Sequence, residues 1–323
     1  MPGQRILIIA ILFVLIQTTS VAGQTTPTTK IYRGRLGDQH IQMELTRDGD
    51  ITTVDRRLLD ELTTVVSMAS AAILAACAHS LDTRIKADLS PVTAADRAAE
   101  AVILEGLGRL LPGACVVSEE AAGEAPPASI PASFVLVDPL DGTRELVAGR
   151  DEFTVNVAVV TGGRPRLGIV AAPAQGLVWR GLEGQGAERM RLPPGAPARA
   201  AQERTAIRTR PAPGAGLVAM ISRSHLDPQT EAFLARLPIA ERRACGSAVK
   251  FCRLAEGDAD VYPRLSTTCE WDVAAGHAVL AAAGGAVVTA EGTPLRYGQG
   301  GENFRIRAFV AWGDPSLPKA LGV

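Results

Sequence analysis

Aromatic side chains are scarce: Phe, Tyr and Trp make up 4% of the 323 residues. That argues against a platform on which nucleic-acid bases stack. Net charge is nearly absent too, at −1 from 33 basic and 34 acidic residues. A polymer of nucleic acid would meet no basic field here. The five cysteines (Cys77, Cys115, Cys245, Cys252, Cys269) are scattered, odd in number and free of any C-x-x-C spacing. They read as reduced, mostly buried thiols of a reducing compartment. The four histidines (His40, His79, His225, His277) form no zinc pattern. No internal repeat appears.

What is present is apolar mass. Apolar residues are 47% and charged residues 21%, a globular balance with enough chain for one large or two modest domains. The N-terminus departs from the compartment implied by the cysteines. Arg5 precedes an apolar run, Ile6 to Ile16, and then Ser20-Val21-Ala22. A charged start, a short apolar stretch and a small-residue site make a signal-peptide pattern, and the run is short for a membrane span. Three readings stand open: a cleaved export signal, a weak membrane anchor, or translation upstream of the true start, with Met43 ahead of a segment that could open the domain. The expected location is the cytoplasm, at or near the inner face of the membrane. The alternative is export through a cleaved signal peptide. Oligomeric state is not legible.

The chain divides into an extension over 1–52, a first α+β unit over 53–215 and a second over 216–323. Gln24 to Thr52 is polar and reads as linker. Leu58, Leu62, Val65, Ala69, Ile73 and Cys77 recur every three or four residues and predict a helix from Asp55 to Cys77. Lys86 to Asp96 is a polar loop feeding a second helix, with Thr93 as N-cap and Asp96 at N3. Val116 to Ser118 is a short strand running into Glu119-Glu120. Phe153 to Val160, Pro165 to Ala172 and Gly176 to Gly181 form a meander, so the first sheet is at least partly antiparallel. Ala187 to Ala215, rich in Arg, Pro, Ala and Gly, reads as a solvated loop. The second unit offers strands at Leu217, Ala259, Ala286 and Phe309, and helices at Glu231, Gly246 and Trp271.

The organising stretch is Val135-Leu136-Val137-Asp138-Pro139-Leu140-Asp141-Gly142-Thr143. A buried strand over Phe134 to Val137 is expected to stop at Pro139, which cannot extend the ladder. Two carboxylates then sit at a strand end beside a short helix beginning at Thr143. Carboxylate oxygens suit a hard cation, and a helix N-terminus suits a phosphate. Alone, Asp-Pro and Asp-Gly are ordinary turns. Glu119 and Asp272 also lie at element ends, and sequence distance does not show that they meet. If they do, the repulsion is about 4 kcal/mol per pair at about 4 Å and an effective dielectric near 20, tolerable once divalent cations enter. With no sulfur or imidazole nearby, the donor set favours magnesium, or manganese, over zinc or copper.

The motifs S-P-V-T-A-A-D (90–96), V-S-E-E (117–120), D-P-L-D-G-T-R-E (138–145), E-F-T-V-N-V-A (152–158), S-R-S-H (222–225), G-S-A-V-K-F-C (246–252), Y-P-R (262–264) and W-D-V-A-A-G-H-A (271–278) run in this order. Together they resemble the lithium-sensitive, magnesium-dependent phosphatase superfamily that includes inositol monophosphatase, and most nearly its 3′(2′),5′-bisphosphate nucleotidases. The resemblance covers roughly residues 55 to 315. It implies an α+β fold layered α-β-α-β-α, with an antiparallel first sheet and a smaller mixed second sheet. It implies two or three Mg2+ ions on Glu119, Asp138, the Leu140 carbonyl, Asp141 and Asp272. Asp96 and Thr143 resemble the pair that orients and deprotonates the attacking water. Gly142 and Thr143 would hold the cleaved phosphate, with Glu119, Leu140, Asp141 and Asp272 around it.

Ser247, Lys250 and Arg264 resemble the nucleotidase residues that contact the nucleotide's phosphate and ribose, and His225 the residue beside adenine. The implied partner is therefore a small nucleotide, and the implied reaction hydrolysis of adenosine 3′,5′-bisphosphate. Departures are Arg144 where a lysine is common, Leu146 where an aromatic is common, and Cys269-Glu270 before Trp271. Two rivals remain: a phosphatase of inositol or sugar phosphates, and an inactive phosphate-binding module.

Overall fold

A computed structural model of the chain describes residues 29–36, 39–46, 51, 53–79, 83–85, 91–124, 129–298 and 304–321. The N-terminal apolar run and Lys86 lie outside the described residues. Within the stretch read as linker, β1 (Thr29–Leu36) and β2 (Gln39–Thr46) pair as an antiparallel hairpin. The signal was present in sequence: Ile41, Met43 and Leu45 alternate with polar residues.

Helix α1 (Arg56–His79) is long and apolar enough to cross a membrane by composition. Here Leu58, Leu62, Ala69 and Ile73 of that helix are buried against the rest of the protein. A small ladder, β3 (Thr83–Ile85) with β4 (Pro91–Thr93), leads into α2 (Ala94–Leu110). Next come β5 (Cys115–Ser118), α3 (Glu119–Glu124), β6 (Ser133–Asp141) and α4 (Thr143–Val147). The meander follows as β7 (Thr154–Thr161), β8 (Arg164–Ala172), β9 (Leu177–Leu182), β10 (Gly186–Arg191) and β11 (Gln202–Ile207). These make a seven-stranded sheet in the order β11-β10-β9-β8-β7-β6-β5. Only β5 and β6 run parallel.

Two further expectations are corrected. The arginine-rich segment is not a loop: much of it forms the outer strands β10 and β11. Ala187 and Ile207 are buried on one face of these strands and Met190 on the other, while Arg189 reaches Glu256 at 3.1 Å and Arg191 reaches Glu203 at 3.3 Å. Nor does Pro139 end its strand. A bulge lies between Asp138 and Asp141, and Asp141 pairs again with Thr154. The bulge absorbs the missing N–H and re-aims the two acids.

The rest of the chain holds β12 (Leu217–Ser222), α5 (Pro228–Leu234), β13 (Ile239–Cys245), α6 (Val249–Ala255) and β14 (Val261–Arg264). It continues through β15 (Thr268–Cys269), α7 (Glu270–Ala282), β16 (Ala286–Val288), β17 (Arg305–Ile306), β18 (Phe309–Trp312) and α8 (Leu317–Leu321). Its five-stranded sheet, β13-β12-β14-β18-β16, is mixed.

Alternation along the first sheet builds the layers. Val135, Val137, Val155 and Ile169 face α1 and α2. Their neighbours Leu136, Ala158 and Val170 face α6, α7 and the second sheet. Leu234 and Leu317 of α5 and α8 cover the far side, over Val261 and Val310. The order is α-β-α-β-α.

Glycines let α7 lie close to the first sheet. A Cβ at Gly168 would stand 2.3 Å from the Ala275 carbonyl oxygen and 2.6 Å from the Ala278 Cβ. Both neighbours belong to one helix, so neither yields alone. Gly168→Ala is expected to destabilise by about 1–3 kcal/mol, the usual cost of overpacking. Urea unfolding with an unchanged m-value would register it.

Candidate active site

The parallel register of β5 on β6 pairs Ser118 with Val137. The next residues on each strand are Glu119 and Asp138, so the first acid pair is set by strand pairing. The bulge carries Asp141 to the same rim. Asp272 arrives from much later in the chain, as N3 of α7. All four line one cavity of about 510 Å3, with the Leu140 backbone beside them.

Each acid is held. The Leu140 N–H donates to Asp138 Oδ1 at 3.0 Å, and Asn156 Nδ2 approaches Asp141 Oδ2 at 3.5 Å. The Cys269 N–H donates to Asp272 Oδ2 at 3.1 Å, and the Thr268 hydroxyl donates to the same oxygen. Crowding is visible in their acidity. Burial first, then Glu119, Asp141 and Asp272, pushes the Asp138 carboxyl well above the usual carboxylate range. Burial and then Asp272 push Asp141 up to about 7, against the downward pull of Lys250 and Arg264.

Asp96 stands behind this group. The capping box expected at the start of α2 is formed, with the Thr93 N–H and hydroxyl donating to Asp96 Oδ2 at 2.7 and 2.6 Å. The cap fixes the carboxylate's orientation and leaves Oδ1 to accept from the Thr143 hydroxyl at 3.2 Å. The Leu140 carbonyl is a second acceptor for that hydroxyl, at 3.3 Å. Gly142, between the acids and Thr143, has φ of 92°. A Cβ there would stand 3.0 Å from the Glu152 carbonyl oxygen, so only glycine makes this turn without strain.

The cations come from α6 and β14. Ser247, Lys250 and Arg264 line the same cavity, as does His225. Lys250 is nearly fully buried. Its ammonium donates to the Ser247 carbonyl at 2.5 Å and the Cys245 carbonyl at 3.3 Å, which leaves one of its three donors. Ser247 has φ of 47°, and its hydroxyl is buried without a partner, as is Arg264 Nε. His225 Nε2 is 3.5 Å from Arg144. Burial first, then Arg264 and Arg144, lowers its pKa, so the imidazole is neutral at neutral pH.

Hard oxygen donors and mutually repelling carboxylates fit magnesium. Among the described residues no three His, Cys, Asp or Glu side chains converge closely enough to enclose an ion unaided. The donors line a chamber rather than a finished coordination shell. Magnesium tolerates that arrangement because it keeps waters and takes substrate oxygens.

Sequence reasoning missed several residues. Thr268 fixes Asp272. Glu145, buried beside Thr143, accepts from the Ser224 hydroxyl. Arg305 lines the cavity from β17. Glu152 accepts from Arg223 and the Gly246 N–H. Glu145, the last residue of D-P-L-D-G-T-R-E, and Glu152, the first of E-F-T-V-N-V-A, stood in motifs but had no role there.

The inositol monophosphatase family matches residues 55–305. The 3′(2′),5′-bisphosphate nucleotidase CysQ of Escherichia coli (strain K12) is 42% identical over 217 residues, covering 67% of this chain and 83% of that protein. The same-named protein of Buchnera aphidicola is 31% identical, covering 76% and 90%. The crystal structure of CysQ from Bacteroides thetaiotaomicron, a bacterial member of the inositol monophosphatase family, superposes with a TM-score of 0.65. It is 32% identical and covers 78% of this chain and 95% of its own.

Proposed function

We propose that this chain, which belongs to the inositol monophosphatase family, hydrolyses the 3′-phosphate of adenosine 3′,5′-bisphosphate to give AMP and phosphate. The observation that carries the reading is one cavity shared by a carboxylate group and by Ser247, Lys250 and Arg264. A simple monoester leaves the Ser247 hydroxyl and Arg264 Nε buried and unpaired, a standing cost. A second phosphate would give both a charged acceptor. The neutral His225 beside them suits a base edge. The bisphosphate-nucleotidase names of the relatives support the same substrate class.

Glu119, Asp138, Asp141, Asp272 and the Leu140 carbonyl would hold Mg2+. When bound, the metal supplies the charge that neutralises the ester and acidifies water. The chain's own side chains do the rest. The Thr143 hydroxyl donates to Asp96 Oδ1, so its lone pairs are left to accept from the attacking water. As the water oxygen adds to phosphorus in line, its proton passes by way of Thr143 to Asp96. The bond from phosphorus to the 3′ oxygen breaks on the opposite side, and that oxygen takes a proton from solvent. No phosphoenzyme forms.

A substrate panel with and without magnesium tests this. Phosphate release from adenosine 3′,5′-bisphosphate should require magnesium, at a higher kcat/KM than from inositol 1-phosphate. The reverse preference would return the chain to the sugar-phosphate reading, and no release from any monoester would favour a binding module.

A further inference from the structure

Glu152 is not among the residues that line the cavity, yet its backbone sits against two of the turns that do. Its carbonyl oxygen would be 3.0 Å from a Cβ at Gly142 and 2.7 Å from a Cβ at Gly246. The same residue therefore sits against the turn before Thr143 and the turn before Ser247. Both close approaches depend on glycine.

Its side chain locks the second contact. Glu152 Oε2 accepts from the Gly246 N–H at 2.8 Å and from Arg223 Nε at 2.9 Å, and Oε1 accepts from Arg223 Nη2 at 2.7 Å. Arg223 Nη2 also donates to the Ala244 carbonyl at 2.9 Å, and the Arg223 N–H to the Cys245 carbonyl at 3.2 Å. A planar guanidinium on a carboxylate fixes orientation as well as distance. Next in the chain, Ser247 sits at φ of 47°, where a non-glycine residue persists only if its surroundings hold it. Glu152 and Arg223 hold one side of that turn, and Lys250 holds the other through the Ser247 carbonyl.

We infer that Glu152 is a positioning residue: with Arg223 it sets the Ser247–Lys250 turn in register with the Gly142–Thr143 turn, and so fixes the spacing between the cleaved phosphate and the second one. This rests on the nucleotide reading above for what the spacing measures, though not for the clamp itself. A glutamate here acts on substrates that bridge both turns. It is indifferent to a monoester that reaches only the first.

Two measurements on the full chain separate these parts. Amide exchange, read without substrate, should rise over residues 246–251 in Glu152→Gln while β6 and β7 keep wild-type protection. Kinetics should show KM for adenosine 3′,5′-bisphosphate raised about tenfold, the loss expected of a charge-assisted contact, with kcat and the turnover of inositol 1-phosphate unchanged. Arg223→Lys keeps the charge without the fork and should fall between wild type and Glu152→Gln. Unchanged exchange over 246–251 overturns the inference. So does an equal loss on both substrates, or a loss confined to kcat. If exchange rises but wild type does not turn over the nucleotide, the clamp stands and the nucleotide reading falls.

Discussion

Asp96→Asn is expected to lower kcat on the bisphosphate nucleotide by about 10²–10⁴-fold, the range for a positioned general base. The carboxylate already has its oxygens allotted. Oδ2 takes both donors of Thr93 and Oδ1 takes the Thr143 hydroxyl. Asparagine has one carbonyl oxygen and one amide nitrogen. If the oxygen faces Thr93, the nitrogen meets Thr143, which must then turn its hydrogen toward the Leu140 carbonyl, 3.3 Å away. The water proton then has no base to receive it. If the amide is reversed, its nitrogen faces two donors and the cap fails. The cap is also worth about 0.5–2 kcal/mol to the fold, so thermal stability should drop modestly alongside. Magnesium binding, measured calorimetrically, should stay near wild type, because Asp96 is absent from the lining of the acid chamber. Wild-type kcat in this variant would remove Asp96 and Thr143 from the water-activating role.

The Thr93–Asp96 cap was legible in sequence because capping is local, whereas the meeting of Asp96 with Thr143, 47 residues on, came only from the family resemblance. Thr93 and Asp96 lie three residues apart, and the same spacing that starts a helix aims the carboxylate. The strand ending in Asp138 and Asp141 was legible for a similar reason, as a run of β-formers meeting turn residues. The bulge through Pro139 was not. Proline reads as a stop, and only the partner strand reveals that pairing resumes at Thr154. The arginine-rich strands were hidden because their buried residues are few, Ala187, Met190 and Ile207, and stand among arginines that pair with Glu256 and Glu203. Pairing of Glu119 with Asp138 depends on the register of β5 on β6, which no local pattern encodes. The Glu152–Arg223 contact spans 71 residues of chain and is likewise invisible until both turns are in place.

Arg264→Ala should cut kcat/KM for adenosine 3′,5′-bisphosphate by about 10–100-fold, equivalent to about 1.4–2.8 kcal/mol at tenfold per 1.4 kcal/mol. It should leave inositol 1-phosphate within a small factor of wild type. Arg264 lines the cavity, and its planar guanidinium makes charge-assisted hydrogen bonds to a phosphate that an inositol monoester does not offer a second time. Lys250→Ala should also harm the nucleotide more, by a different route. Its ammonium is committed to the Ser247 and Cys245 carbonyls, so its removal loosens the Ser247 turn as well as taking away a charge. The two variants are therefore distinguishable. Added guanidinium should restore part of the Arg264→Ala loss by refilling a preformed space, whereas an added alkylamine should do little for Lys250→Ala, whose turn has relaxed. Equal losses on nucleotide and inositol phosphate in both variants would mean that these cations shape the cavity for any ester and recognise no second phosphate.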